Sequence, residues 1–166
     1  MKTQLMIQST PNPNALKFVL NTPVKTNGNW TYKSAKECAT NPLAGAIFAL
    51  DPHVKEVYFF DNYITVTQDG DVDWEGLEGK IQKTVLEKIG SHDPGFATPE
   101  PEKKAAPAGS DSPEMAQINE ILDQTVRPAL QMDGGDIQLV DYKNNTLRVF
   151  YQGACGSCPS ATMGTL

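Results

Sequence analysis

Between Ala97 and Asp111 the chain carries no large apolar side chain. Such a stretch cannot bury enough surface to offset the conformational entropy lost on ordering it. Together with Pro94, Pro99, Pro101 and Pro107 it predicts a flexible linker over residues 91–111. The 166-residue chain is thereby divided into an N-terminal unit, residues 1–90, and a C-terminal unit, residues 112–166. Each is long enough for one small core and no more.

The N-terminal unit reads β-β-α-β-β-α. Lys2 to Gln8 alternates apolar and polar residues, and Ala15 to Leu20 follows a turn-forming cluster from Thr10 to Asn14. Asn41-Pro42 makes a cap and first-turn pair for a helix through Leu50, which Asp51-Pro52 ends. Val54 to Phe60 and Tyr63 to Thr67 flank Asp61-Asn62 as a hairpin. Trp74, Leu77, Ile81, Val85 and Ile89 then recur at helical spacing up to Gly90, a natural helix stop. A sheet with helices on one face would bury all of these.

The C-terminal unit opens on Ser112-Pro113, a cap followed by proline at the first helical position. Met115, Ile118, Leu122, Val126 and Leu130 trace one helical face, and Pro128 is expected to loosen its last turn. Asp133-Gly134-Gly135-Asp136 ends the helix, with both glycines expected in left-handed conformations. A hairpin of Ile137 to Tyr142 and Thr146 to Tyr151 follows, and Pro159 suits the first turn of another helix. A helix, a hairpin and a turn of helix make a poor core, so this unit is expected to be incomplete at Leu166. The fold class is α+β: two small domains, each a small sheet packed with helices.

Chemistry concentrates at the end of that hairpin, in Gly153-Ala154-Cys155-Gly156-Ser157-Cys158-Pro159. Two thiolates at C-x-x-C spacing grip one soft metal centre and leave two ligand positions to be filled. His53 and His92 stand at no ligand spacing from them. Two copies of the chain on a two-fold axis would supply four thiolates, a set suited to an iron–sulfur cluster or to zinc. The residues alone leave these two nearly even. A thiol–disulfide oxidoreductase using Cys155 and Cys158 is the rival from an enzyme class, although such pairs belong to a βαβ setting and a hairpin precedes this one.

Other features read as structural. Asp69-Gly70-Asp71-Val72-Asp73 starts like a calcium loop but has Trp74 where glycine and Lys80 where glutamate is required, which leaves a turn and a helix cap. In Asp133-Gly134-Gly135-Asp136 the glycines end the helix and Asp136 orders the turn, rather than the acidic pair holding a metal. Cys38 is expected to be packed, and Trp30 and Trp74 to anchor the core. The net charge of −6 excludes the basic surface of a nucleic-acid binder, and no apolar run approaches a membrane span. Three cysteines without a framework pattern suit a reducing compartment.

Asp133-Gly134-Gly135-Asp136-Ile137, the hairpin, and the run from Gly153 to Ser160 resemble the NifU C-terminal (Nfu-type) domain of iron–sulfur cluster assembly proteins. Thr10 to Phe18, Asn41-Pro42-Leu43-Ala44 and Tyr63 to Thr67 are similar to the Nfu N-terminal domain. The resemblance covers both units. It implies that Cys155 and Cys158 bind a cluster, typically [4Fe–4S], shared between the two subunits of a homodimer. It further implies receipt of the cluster from upstream assembly machinery and transfer to apo iron–sulfur proteins. The chain would then be a carrier, not an enzyme. Met1 without signal or transit character places it in a bacterial cytoplasm, ahead of a mitochondrial matrix. A zinc-stapled interaction module is the remaining alternative.

Overall fold

The computed structural model describes residues 2–98 and 113–156. The N-terminal part is a five-stranded antiparallel sheet of β1 (Leu5–Ser9), β2 (Ala15–Leu20), β3 (Lys25–Tyr32), β4 (Val54–Asp61) and β5 (Tyr63–Gln68), in the order β1-β2-β5-β4-β3. Helices α1 (Pro42–Leu50) and α2 (Trp74–Lys88) supply the expected cover on one face. Strand residues Phe18, Val57, Phe59, Ile64 and Val66 meet Leu43 and Ile47 of α1 and Leu77, Ile81 and Val85 of α2 in a single core. Asn41 caps α1 by accepting from the Ala44 amide at 3.1 Å. The β4–β5 turn puts Asp61 at φ 43°, a conformation aspartate tolerates. Cys38 and both tryptophans take their expected structural places. Cys38 is buried, its thiol donates to the Ser34 carbonyl, and burial followed by the Glu37 charge pushes its pKa up to about 11. Trp30 and Trp74 pack at the core margin, and the Trp74 indole donates to the Pro13 carbonyl at 3.0 Å.

Two features depart from the sequence expectation. Strand β3 was not predicted, because Lys25 to Asn29 is polar and its register with β4 shifts between Lys25 and Asn29, where Asn27 and Gly28 have positive φ. Residues 92–98 also belong to the N-terminal fold rather than to the linker expected from residue 91. Phe96 enters the core, edge-on to Phe59 with ring centres 5.6 Å apart. His92 Nε2 lies 2.7 Å from the Val24 carbonyl, the Thr26 amide donates to Pro94 O, and the Thr40 hydroxyl donates to Ala97 O. Pro94-Gly95 marks a tight turn that delivers Phe96, so one aromatic outweighs the loop-like composition around it. Phe96→Ala should therefore destabilise the N-terminal part by about 3–5 kcal/mol. Denaturant unfolding followed by Trp30 and Trp74 fluorescence checks this, and a midpoint unchanged from wild type would contradict it.

The second part holds α3 (Pro113–Ile121), α4 (Arg127–Met132) and a hairpin of β6 (Gly135–Lys143) and β7 (Thr146–Gly153). Pro128 does loosen the first helix. Between α3 and α4 the Leu122–Val126 turn widens to a π turn, with the Arg127 amide reaching back to Leu122 O. The wide turn relieves the crowding that a proline ring imposes on the preceding turn. Asn144 and Asn145, both at positive φ, form the two-residue hairpin turn. Pro159 and the expected further helix fall outside the described residues. No helix among the described residues is long and apolar enough to cross a membrane.

Candidate metal centre at the cysteine-bearing corner

The corner begins where α4 stops. Gly134 adopts φ +84°, as expected of a helix-ending glycine, and its amide donates to Gln131 O. Gly135 does not share that conformation, and its requirement is space. A Cβ there would lie 2.6 Å from Cys155 Sγ and 2.6 Å from the Gln152 carbonyl oxygen. Gly153, which pairs with Gly135 across the open end of the hairpin, has φ +63° and would press a Cβ to 2.5 Å from Gly134 O. The Ala154 amide closes the corner by donating to Gly134 O at 3.2 Å. These contacts hold Cys155, on a single turn from Ala154 to Gly156, directly against the glycine doublet. Cys158 lies outside the described residues.

Asp136 does order this turn, as the sequence suggested. Its carboxylate accepts from the Ile137 amide at 2.7 Å and from Asn29 Nδ2 at 3.1 Å, and it faces the Arg127 guanidinium at 3.8 Å. Arg127 also donates to Ile137 O and to Asn119 Oδ1 of α3 and pairs with Asp123, tying both helices to β6. The Asp69 loop is a turn, with Gly70 at φ +96°. Asp73 precedes α2 but makes no side-chain cap bond. Asp69 is engaged by His53 Nδ1 at 3.0 Å and by Lys55 at 3.3 Å, and Asp71 stands nearby. A lysine in that group competes with any cation, so it reads as a surface ion pair.

Sequence reasoning missed what the corner rests on. Strand pairing aligns Lys17, Thr65 and Tyr58 in one row across β2, β5 and β4, on the sheet face opposite the helices. All three are buried, as is Tyr63 beside them. The corner covers them. Thr65 Oγ1 donates to Gly134 O at 2.8 Å, Lys17 Nζ to Gln131 O at 2.9 Å and Met132 O at 3.3 Å, and Asn12 Nδ2 to Ala154 O at 3.0 Å. Gly153 sits over the Tyr58 ring, where a Cβ would approach Cδ1 to 3.1 Å. Cys155 is left 8% exposed. Burial first, then neighbouring negative groups that include Asp136 and Cys155, push the Tyr58 and Tyr63 hydroxyls above their ordinary pKa, and burial lowers that of Lys17. The residues themselves carry no signal for it: Tyr63, Thr65 and Thr67 alternate with Ile64 and Val66 like the outward face of a half-buried strand, yet every residue from Tyr63 to Gln68 is buried.

Family models decide the kinship. Residues 5–92 match "Scaffold protein Nfu/NifU N terminal" and residues 118–166 match "NifU-like domain". The chain belongs to the Nfu/NifU family. It is 35% identical over 163 residues to "NifU-like protein 5, mitochondrial" of Arabidopsis thaliana, covering 96% of this chain and 59% of that protein. It is 34% identical over 158 residues to the human "NFU1 iron-sulfur cluster scaffold homolog, mitochondrial", covering 95% of this chain and 61% of that protein. The chain thus spans about three-fifths of the length of these curated relatives. Among solved structures, the NMR structure of a NifU-like protein from Saccharomyces cerevisiae matches with a TM-score of 0.50 and 26% identity, over 53% of this chain and 79% of that one.

These relatives correct one expectation. The sequence reading placed the chain in a bacterial cytoplasm, whereas the plant, human and Drosophila relatives are all named mitochondrial. That placement leaned on Met1 and the lack of a transit-like start, which do not report the compartment, and the reducing environment that cysteine usage suggests is shared by the cytoplasm and the mitochondrial matrix.

Proposed function

We propose that this chain is a mitochondrial iron–sulfur cluster carrier whose cargo, a [4Fe–4S] cluster, is held by Cys155 and Cys158 of two copies and passed to apo iron–sulfur proteins. The observation that carries the reading is the glycine-framed corner that presents Cys155 at the open end of a hairpin, in a chain of the Nfu/NifU family. The donor chemistry fits. Thiolates are soft ligands suited to iron–sulfur cargo, and glycine at 135, 153 and 156 lets backbone approach sulfur closely. The β6–β7 hairpin before Cys155 is not the βαβ setting of a thiol–disulfide oxidoreductase.

With two ligands from each copy, no one chain encloses the cargo. An incoming acceptor thiolate displaces one donor sulfur at a time, and each released thiolate is stabilised where it lies near backbone N–H groups. The chain breaks no covalent bond of an organic substrate and acts as a carrier. The N-terminal part serves recruitment, and a tether between the parts raises the local concentration of acceptor at the cargo. Transfer tests the reading. The loaded full chain should restore the activity of an apo iron–sulfur enzyme faster than equimolar iron and sulfide do, and should do so in the presence of an iron chelator. Restoration abolished by the chelator would contradict carriage.

A further inference from the structure

The open face of the sheet is built as a donor surface. Asn12, Lys17, Asn29 and Thr65 all donate, and what they meet is the carbonyls of Gln131, Met132, Gly134 and Ala154 and the Asp136 carboxylate. Gly134 and Gly153 are the contact points, and a Cβ at either would press on Thr65 or Tyr58. Lys17, Thr65, Tyr58 and Tyr63 become buried on a face that no helix of the N-terminal part covers. The fit is therefore shaped on both sides, through glycines on one and a row of hydrogen-bonding side chains on the other. The element it receives is the one that carries Cys155.

We infer that this sheet face is the docking surface for the chain's own cysteine-bearing corner, and that this docking and a cluster shared between two copies exclude each other. Loading then undocks the corner and frees the sheet face for another protein. The second half of this inference rests on the carrier reading above. Exclusion follows from space. Docked, Cys155 is enclosed by Gly135, Gln152 and the sheet, with 8% of its surface exposed. Cargo shared between two copies needs the thiolates of both to face one centre, with no protein between them. With Cys155 seated in the docked corner and 8% exposed, a second copy cannot bring its thiolates to the same centre until the corner moves away. Once undocked, Lys17, Thr65 and Asn12 are left without the carbonyls they hold, so a polar, carbonyl-rich segment of an acceptor can replace the corner.

Two measurements on the full chain test this. The first is site-resolved alkylation of the reduced, metal-free protein by iodoacetamide, read by tandem mass spectrometry. Cys155 should react slowly, and in a Lys17→Met, Asn12→Ala double variant on the order of a hundredfold faster, the scale set by losing three hydrogen bonds of ordinary net strength. Cys38, in the core of the sheet, reports that the N-terminal fold is intact and should stay slow in both proteins. Equal Cys155 rates in the two proteins would overturn the docking. The second is anaerobic amine labelling before and after loading with iron and sulfide, with exposed Lys83 as reference. Lys17 should gain reactivity relative to Lys83 on loading. Iron and sulfide bound with Lys17 still protected would overturn the exclusion. A chain that binds neither fails the carrier reading instead, and the alkylation result decides the docking independently.

Discussion

Cys155→Ser and Cys158→Ser should each reduce the iron and sulfide retained after anaerobic reconstitution to background. A serine hydroxyl is a hard oxygen that stays protonated near neutral pH, so on the proposed carrier reading each substitution would remove one of two soft ligands per copy, two of the four thiolates of a shared site. Cys155 is not a member of the core of the N-terminal sheet, so thermal unfolding of that part should be unaltered in Cys155→Ser. Cys38→Ala is the internal comparison. It removes a buried thiol and its bond to Ser34 O, which costs some stability, and it should leave iron and sulfide at the wild-type level. Full retention in either serine variant, or loss in Cys38→Ala with the fold intact, would relocate the site.

Gly135→Ala should disorder the corner while the N-terminal sheet survives. The added Cβ would stand 2.6 Å from Cys155 Sγ and 2.6 Å from the Gln152 carbonyl, and that carbonyl is backbone fixed by the β6–β7 ladder. Relief requires the hairpin end to open, so the cost should exceed the ordinary overpacking penalty of about 1–3 kcal/mol. A part this small has little stability to lose. Hydrogen exchange should show lost protection over β6 and β7 with β2, β4 and β5 unchanged. The contrasting substitution is Gly76→Ala in α2, where a Cβ meets nothing within 4 Å. It should stabilise the N-terminal part by about 0.5–1 kcal/mol through helix propensity. Wild-type protection in Gly135→Ala would mean that the glycine is not required for closeness to Cys155.

Much of this site is written locally. The glycine doublet after a helix, the hairpin closed by Asn144-Asn145 and the cysteine spacing are short-range patterns, each with a backbone cause readable from a few residues. The core of the N-terminal sheet is equally legible, since Phe18, Ile64, Val66, Leu77, Ile81 and Val85 keep strict strand or helix periods. Non-local features were harder to read. Strand β3 exists because β4 pairs with it across a bulge, and its own residues from Lys25 to Asn29 look like a loop. Phe96 folds back through a Pro-Gly turn whose composition resembles the linker beyond it. The seat of the corner depends on residues more than a hundred positions apart, such as Lys17 with Gln131 and Asn12 with Ala154. No local period encodes such a seam, and the burial of every residue from Tyr63 to Gln68 is visible only once the second cover is in place.

The most direct measurement is anaerobic native mass spectrometry of the full chain after reconstitution with iron and sulfide. A shared cargo held by two cysteine pairs predicts a dimer heavier than two chains by the mass of one cluster. An iron-free monomer lighter by two protons, the signature of a Cys155–Cys158 disulfide, would contradict it.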